Sequence, residues 1–570
     1  MNLLPRKSFG VSSLSSRLVA ALALLSMPSW AVADGFTDRA AESGVAFRYF
    51  NGMTGELLFP EIMGGGAALF DFDRDGDLDI YLAQGEILRP ERSGQVVFPR
   101  AAGEVLGDRL LRSDTVAGAS WPHFVDVSSA AGLEPGGYGM GVSVADFDND
   151  GWQDLYVLNF GPNRLLRNRG DGTFVDVTES AGVGEAGWST AASWLDYDGD
   201  GWLDLFVGSY SDYSLATHKA CFSESGELDY CSPSVFPPAH DALLRNLGDG
   251  TFERRTKRAG LGATSGPALG AATGDFNGDG RLDLYVANDG VPNQLWVNLG
   301  DGRLADEAVL AGVAVNAAGR PEASMGVVAA DFDSDGLEDL FMTHLTRETN
   351  TLYLGSAEGY FSDVSAGSGL AMPSWKNTGF GVGLADFDLD GELDLFIANG
   401  AVRRIERLAR AGDPYPLALP NQYFRGRGDG SFEEASQEAG PAVSRELVSR
   451  GVAAGDLDND GDVDLLVVNS EGPAQLLDNS WPQGGDWQGL SILTQHGAPG
   501  LGGEVRKGLG DGRSLLRRVS SGGSYASAGD PRIVLGAPSP TAVIEVRLPG
   551  ATRRRWHELP SDHYLVVPTP

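Results

Sequence analysis

Three kinds of segment recur along the chain. Small-residue runs, such as Gly141-Val142-Ser143-Val144-Ala145 and Gly381-Val382-Gly383-Leu384-Ala385, lead into an acidic loop. Runs of β-branched and aromatic residues leave it, as in Leu155-Tyr156-Val157, Leu205-Phe206-Val207 and Leu284-Tyr285-Val286. Such residues pack well on a pleated, half-buried surface, so both runs predict strands. A short third run, such as Asn163-Arg164-Leu165-Leu166, precedes a Gly-Asp-Gly turn and a fourth run. The fullest copy of that turn is Asn168-Arg169-Gly170-Asp171-Gly172-Thr173-Phe174-Val175-Asp176-Val177. Related copies span Asn246–Phe252, Asn298–Leu304 and Gly426–Phe432, with weaker ones at Phe124–Val127 and Phe361–Val364. A Gly-Asp-Gly between apolar runs is a hairpin turn. One unit is therefore four strands, and radial repetition of four-stranded units makes a β-propeller.

The acidic loop follows the frame D-x-[DN]-x-D-G-x-x-D and occurs seven times, which predicts seven blades. Its positions 1, 3, 5 and 9 are Asp71, Asp73, Asp75 and Asp79 in the first copy and Asp146, Asp148, Asp150 and Asp154 in the second. The third has Asp196, Asp198, Asp200 and Asp204, and the fourth Asp275, Asn277, Asp279 and Asp283. The fifth has Asp331, Asp333, Asp335 and Asp339, and the sixth Asp386, Asp388, Asp390 and Asp394. The last has Asp456, Asp458, Asp460 and Asp464. Position 6 is Gly in every copy. Alternate carboxylates on a tight turn converge on one point, and hard oxygen ligands suit Ca²⁺, so these residues are predicted to ligate up to seven Ca²⁺. Mg²⁺ suits them less, because it demands a strict octahedron and keeps its waters. A solvated turn needs no fixed set of four carboxylates. An EF-hand is excluded: position 12 is Leu82, Val157, Val207, Val286, Met342, Ile397 or Val467, and strands rather than helices flank the loop.

Loop starts lie 75, 50, 79, 56, 55 and 70 residues apart. Taking the shortest spacing as the bare unit, the longer ones predict insertions at Glu86–Ser120, Ser209–His240 and Arg403–Pro420. The third carries Arg403, Arg404, Arg407 and Arg410, either as an anion contact or as partners of neighbouring carboxylates. The last repeat lacks its Gly-Asp-Gly strand, whereas Phe36-Thr37-Asp38-Arg39 reads as a fourth strand without a blade. Pairing the two closes the ring and removes exposed sheet edges. Beyond Trp481-Pro482 the balance turns basic, with ten Lys+Arg against seven Asp+Glu over residues 485–570. That segment is predicted to be a separate small β domain after a propeller over residues 34–484.

Composition narrows the function. A formal net charge of −35 argues against nucleic acid, whose phosphates call for a basic face. Residues 1–33 have the form of a secretory signal: basic Arg6, Lys7 and Arg17, a short apolar run Leu18–Met27, and Ala31-Val32-Ala33 before Asp34. No other stretch is long enough to span a bilayer, so the mature protein is expected to be secreted, periplasmic or at the cell surface. In an oxidising compartment Cys221 and Cys231 predict a disulfide, two free thiols being the alternative. A zinc site there lacks the CxxC partner or clustered His it would need. Arg169-Gly170-Asp171 and Arg427-Gly428-Asp429 fall inside the repeat's own turn, and His344 reads as a packed histidine. No catalytic constellation emerges from spacing.

The loops, preceded by Tyr138-Gly139-Met140-Gly141 or Gly379-Phe380-Gly381, resemble FG-GAP/VCBS repeats, the calcium-bearing propeller repeats also seen in integrin α subunits. With the tail, the chain resembles the cartilage-acidic-protein-like family, in which a propeller precedes an ASPIC/UnbV domain. The tail matches in Gly512-Arg513, Arg518-Val519, Gly523-Ser524-Tyr525-Ala526-Ser527 and Asp530-Pro531-Arg532. It departs where Leu548-Pro549-Gly550 replaces Trp-Pro-x-Gly and Val534-Leu535-Gly536 replaces Phe-Gly-Leu-Gly. The resemblance implies an extracellular calcium-binding protein without established catalysis, and leaves its protein or glycan partner unnamed. The alternative class is a polysaccharide-active enzyme whose acids come from the insertions.

Overall fold

Each acidic loop joins the first two strands of a four-stranded antiparallel sheet in the computed structural model. The structure describes residues 35–568, apart from 101–106, 116–118, 135, 224–225, 263–264, 482–486, 509–513, 537–542 and 557–560. The expected signal, residues 1–33, lies outside the described residues. The seven inner strands are Ala67–Phe70, Tyr138–Ala145, Ser189–Leu195, Ala268–Gly274, Val327–Ala330, Gly379–Ala385 and Ser449–Gly455. Each packs against the next, and Ala67–Phe70 packs against Ser449–Gly455 as well, so blade 7 adjoins blade 1. The sheets form an all-β, seven-bladed propeller, as the repeats predict.

Register places the loops. Position 9 pairs with the residue just before position 1, as in Phe70↔Asp79, Ala145↔Asp154 and Gly455↔Asp464. All seven acidic loops therefore leave the same ends of the inner strands. The insertions follow the second strands, at the opposite ends.

The orphan strand completes blade 7. Phe36–Asp38 pairs antiparallel with Gln475–Asn479, with Phe36 opposite Asn479. Phe36 is 1% exposed and meets Phe387 edge-on at 5.4 Å between ring centres and Tyr423 at 6.0 Å. Phe36→Ala is expected to cost about 3–5 kcal/mol in urea unfolding. An unchanged midpoint would show that the closing strand contributes nothing.

One expected boundary is corrected. Arg109–Ser113, inside the expected Glu86–Ser120 insertion, is the third strand of blade 1. Its Arg-Leu-Leu-Arg matches the third strand of blade 2, Arg164–Asn168, and the long preceding insertion displaced it from its usual spacing. In the third insertion, Glu406–Arg410 forms a short helix.

The tail builds a three-stranded sheet from Trp487–Leu493, Ile533–Gly536 and Tyr564–Pro568, and a four-stranded one from Glu504–Gly508, Ser514–Arg518, Ile544–Arg547 and Arg554–Trp556. They share a core of Leu490, Ile492, Val505, Ile533 and Val546. Between these sheets, however, Ser520–Asp530 enters the centre of the propeller. The Ser524 and Val327 backbones bond, Val142 N–H donates to Ala526 O at 3.1 Å, and Leu69 N–H donates to Ala528 O at 3.0 Å. Ser524 Oγ accepts from Val382 N–H at 2.9 Å, and Asp530 N–H donates to Ala454 O at 2.9 Å. The plug thus bonds the inner strands of blades 1, 2, 5, 6 and 7. Gly66 and Gly141 are glycines for its sake: a Cβ on either would lie 1.9 Å or 2.5 Å from Ala526 O.

Candidate metal centres

The loop's backbone assigns most of its carboxylate oxygens. In the first copy, Asp71 Oδ1 accepts from Asp75 N–H and its Oδ2 from Gly76 N–H, both at 3.1 Å. Asp79 Oδ2 accepts from Phe72 N–H at 3.0 Å, and its Oδ1 from Ser113 N–H on the third strand at 2.8 Å. The position-9 carboxylate is bonded in the same two ways in blade 2, by Phe147 and Asn168, and in blade 7, by Leu457 and Asn479.

Position 3 is left over. Oδ1 of Asp73, Asp148, Asp198, Asp388 and Asp458 is buried with no hydrogen-bond partner. Its neighbours explain the posture: Arg167 holds Asp148 Oδ2 at 2.7 Å, Arg425 holds Asp388 Oδ2 at 3.1 Å, and Arg245 pairs with Asp198. These arginines, each one residue before the end of its third strand, are functional neighbours that the sequence analysis missed. Their signal was an Arg at the fourth place of the third strand, in Arg-Leu-Leu-Arg-Asn, Ala-Leu-Leu-Arg-Asn and Gln-Tyr-Phe-Arg-Gly.

The convergence is direct. One carboxylate oxygen from each of Asp71, Asp73 and Asp79 lies within 4.8 Å of the others; so do those of Asp146, Asp148 and Asp154, and of Asp196, Asp198 and Asp204. Asp331, Asp333 and Asp339 form a fourth such group, and Asp386, Asp388 and Asp390 a fifth. Positions 1, 3 and 9 therefore meet in four of these loops, and positions 1, 3 and 5 in the other. Several buried Asp clusters can hold metal ions.

The backbone turns twice to bring them together. Gly76, Gly151, Gly391 and Gly461 at position 6 have φ of +92° to +97°. Position 4 is left-handed too, at Arg74 (φ +59°), Asn149 (+55°), Ser334 (+59°), Leu389 (+55°) and Asn459 (+60°). A left-handed non-glycine costs of order 1 kcal/mol and persists only where its surroundings over-determine it.

Electrostatics point the same way. Burial, reinforced by the neighbouring carboxylates, pushes Asp71, Asp331 and Asp456 up to about 6 and Asp146 and Asp386 to about 7. At position 9 burial takes Asp204, Asp283 and Asp339 to about 8 and Asp79 to about 9. Crowded carboxylates in a dry pocket stay ionised only with a counter-charge, and a divalent cation among the oxygens would supply it.

The loops are tied to one another and to the tail. Asn168 Nδ2 donates to Phe72 O of the preceding blade's loop at 2.8 Å; Asn246 does so to Phe147 O at 2.7 Å, Asn298 to Tyr197 O and Asn479 to Phe387 O, both at 2.8 Å. This explains the Asn that opens the Gly-Asp-Gly repeat. From the tail, Tyr564 Oη donates to Asp456 Oδ2 at 2.7 Å, Leu516 N–H to Asp331 Oδ2 at 2.9 Å, and Arg506 Nη1 to Gly336 O at 2.8 Å.

The other predicted residues are placed as follows. Cys221 and Cys231 form a disulfide, with Cα atoms 5.1 Å apart, in the second insertion. His344 is packed, 2% exposed. Of the four insertion arginines, Arg404 pairs with Glu227 at 2.6 Å, Arg407 with Glu446 at 3.0 Å and Arg410 with Glu406 at 3.4 Å. Among the described residues no helix is long and apolar enough to cross a membrane.

Comparison with known proteins adds a family. A model of the FG-GAP-like repeat matches residues 146–207, 226–286, 275–342, 331–397 and 411–467. These spans contain every acidic loop but Asp71–Asp79. Cartilage acidic protein 1 of Homo sapiens is 26% identical over 513 residues, 85% of this chain and 69% of that one. That of Mus musculus is 26% identical over 512 residues, 85% and 70% of the two chains. The Xenopus tropicalis protein is 28% identical over 333 residues, 55% and 48%.

Proposed function

The chain belongs to the FG-GAP-like repeat family, and from that premise we propose that it is an exported calcium-binding β-propeller serving as an extracellular interaction scaffold. In this reading Ca²⁺ is structural, the four frame positions of all seven loops are its ligands, and the protein has no catalysis of its own. Residues 1–33 are its signal, 34–484 the propeller and 485–570 the ASPIC/UnbV-like domain. The observation that carries the reading is the buried, unpartnered position-3 oxygen in five of the loops. A cation would satisfy it, and among the described residues it has no hydrogen-bond partner. Closed spheres of protein oxygens hold an ion well and exchange ligands poorly, which separates a structural site from a catalytic one. The disulfide supports an oxidising compartment. Tail groups reach the loops of blades 5 and 7, which leaves the insertion face for an extracellular protein or glycan.

Native mass spectrometry with Ca²⁺ tests the metal assignment. Masses corresponding to several bound ions are expected, and Asp148→Asn should lose one. Identical mass envelopes with and without chelator would overturn it. Capture of the native partner by proteins whose insertions are trimmed one at a time tests the surface. If every trimmed protein folds and keeps its partner, the insertions are not the contact.

A further inference from the structure

On the face away from the acidic loops, Phe59–Met63, the second and third insertions and the ends of blades 4 to 6 enclose a cavity of about 330 Å³. Its walls are apolar: Phe59, Phe236, Met325 and Phe380 are each at most 5% exposed. Into this apolar space face three charged side chains, Asp289, Glu348 and Arg403. Asp289 Oδ2 accepts from Tyr210 Oη at 2.6 Å, and Glu348 Oε2 accepts from Ala323 N–H at 3.0 Å. Neither carboxylate has an ion-pair partner within 4.0 Å among the described residues, although Arg403 acts on Asp289 and Arg320 on Glu348 through space. Arg403, exposed at the rim, is the one insertion arginine without an ion pair among the described residues. A further polar group is unsatisfied: Ser211 lines the cavity, is 2% exposed, and its Oγ has no hydrogen-bond partner.

These features specify a ligand chemistry. Two carboxylates against one guanidinium leave the cavity negative, and apolar walls strengthen any charge-assisted bond formed inside it. An ammonium or guanidinium brings several N–H donors, enough for both carboxylates and Ser211 Oγ, while its apolar body meets the aromatic walls. Arg403 at the mouth disfavours a second positive charge beside the first. The net charge of −35 draws cations toward the molecule from a distance. We propose that this cavity binds an organic monocation, an ammonium or guanidinium head on an apolar body about the size of one side chain. The proposal rests on the insertion face being the interaction surface. The same chemistry is offered by a free amine and by a lysine or arginine of a protein partner.

Calorimetric titration of the full-length, calcium-loaded protein at neutral pH tests it. The probes are benzylamine, its neutral isostere benzyl alcohol, and a lysine blocked at both backbone ends. Benzylamine or the blocked lysine is expected to bind at least about tenfold more tightly than the alcohol. Binding of the amine alone identifies a free small cation as the source, and of the blocked lysine alone a partner side chain. Glu348→Gln and Asp289→Asn should each weaken the bound cation about tenfold or more. Glu348→Gln, the less buried site, carries the result if Asp289→Asn fails to fold. Equal affinity for alcohol and amine, or no heat from either cation up to about 10 mM, overturns the proposal. Because no partner protein enters the titration, its failure is distinct from a failure of the insertion-trimming experiment.

Discussion

Chelating the metal from the intact protein is expected to remove about 10 kcal/mol of stability and to lower its melting temperature by roughly 10 °C or more. If each loop binds Ca²⁺ at ~0.1 mM and free calcium is ~1 mM, linkage contributes about 1.4 kcal/mol per site. Seven sites in one ring reach the stability of a whole domain. The cross-blade bonds of Asn168, Asn246, Asn298 and Asn479 carry the loss from one loop to its neighbour. The effect also has a sign in pH. Burial holds the loop carboxyls of the metal-free fold above their ordinary range, at about 6 for Asp71 and about 9 for Asp79. The metal-free fold therefore binds more protons than the unfolded chain, and its stability falls as pH rises from about 4 to about 9. Chelation should accordingly cost more at pH 8 than at pH 5.5. A melting temperature that ignores the chelator at both values would remove the structural role of the metal.

Tyr525→Ala is the second large effect, expected at about 3–5 kcal/mol in urea unfolding. Tyr525 is 0% exposed at the propeller's centre and donates to Met63 O at 2.7 Å. Its ring meets Phe380 edge-on at 4.9 Å, and Phe380 lies 4.0 Å from the guanidinium carbon of Arg450. Arg450, itself fully buried, donates to Ile62 O at 2.6 Å and to Gly400 O and Ala401 O at 3.0 Å. Removing the ring therefore leaves a cavity and loosens the support of a buried charge that braces the chain just before the third insertion. Tyr525→Phe keeps the ring and loses one bond, so about 1 kcal/mol is expected. The two substitutions should differ by at least about twofold; equal small effects would show that the plug merely occupies space.

Much of the candidate metal site was legible because its parts are close in sequence. Position 1 bonds the backbone of positions 5 and 6, and position 9 that of position 2, so nine residues define most of a site without tertiary help. The arginine partners were less legible. Arg167 and Arg245 come from the third strand, and in blade 3 an insertion separates Arg245 from the loop it serves. The insertion arginines carried a double meaning that charge alone did not resolve: three found carboxylates, and Arg403 found a cavity.

By itself the sequence determined the blade count, the strand order and the closing strand at Phe36, and it pointed to the Cys221–Cys231 pair. Each rests on local periodicity, on turn chemistry, or on a strand missing at one end and spare at the other. Only the tertiary structure decided where the tail's Gly523-Ser524-Tyr525-Ala526-Ser527 goes. Its partners, from Met63 to Val452, are spread over most of the chain, and no local pattern encodes a segment threaded through a ring. The insertion-face cavity is decided in the same way. It brings Phe59, Ser211, Asp289, Glu348 and Arg403 together, and each sits in a blade or insertion whose own sequence gives no sign of the others. The physical reason is common to both. A propeller's blades are specified one at a time by short-range bonds, whereas its two faces and its centre exist only after the ring has closed.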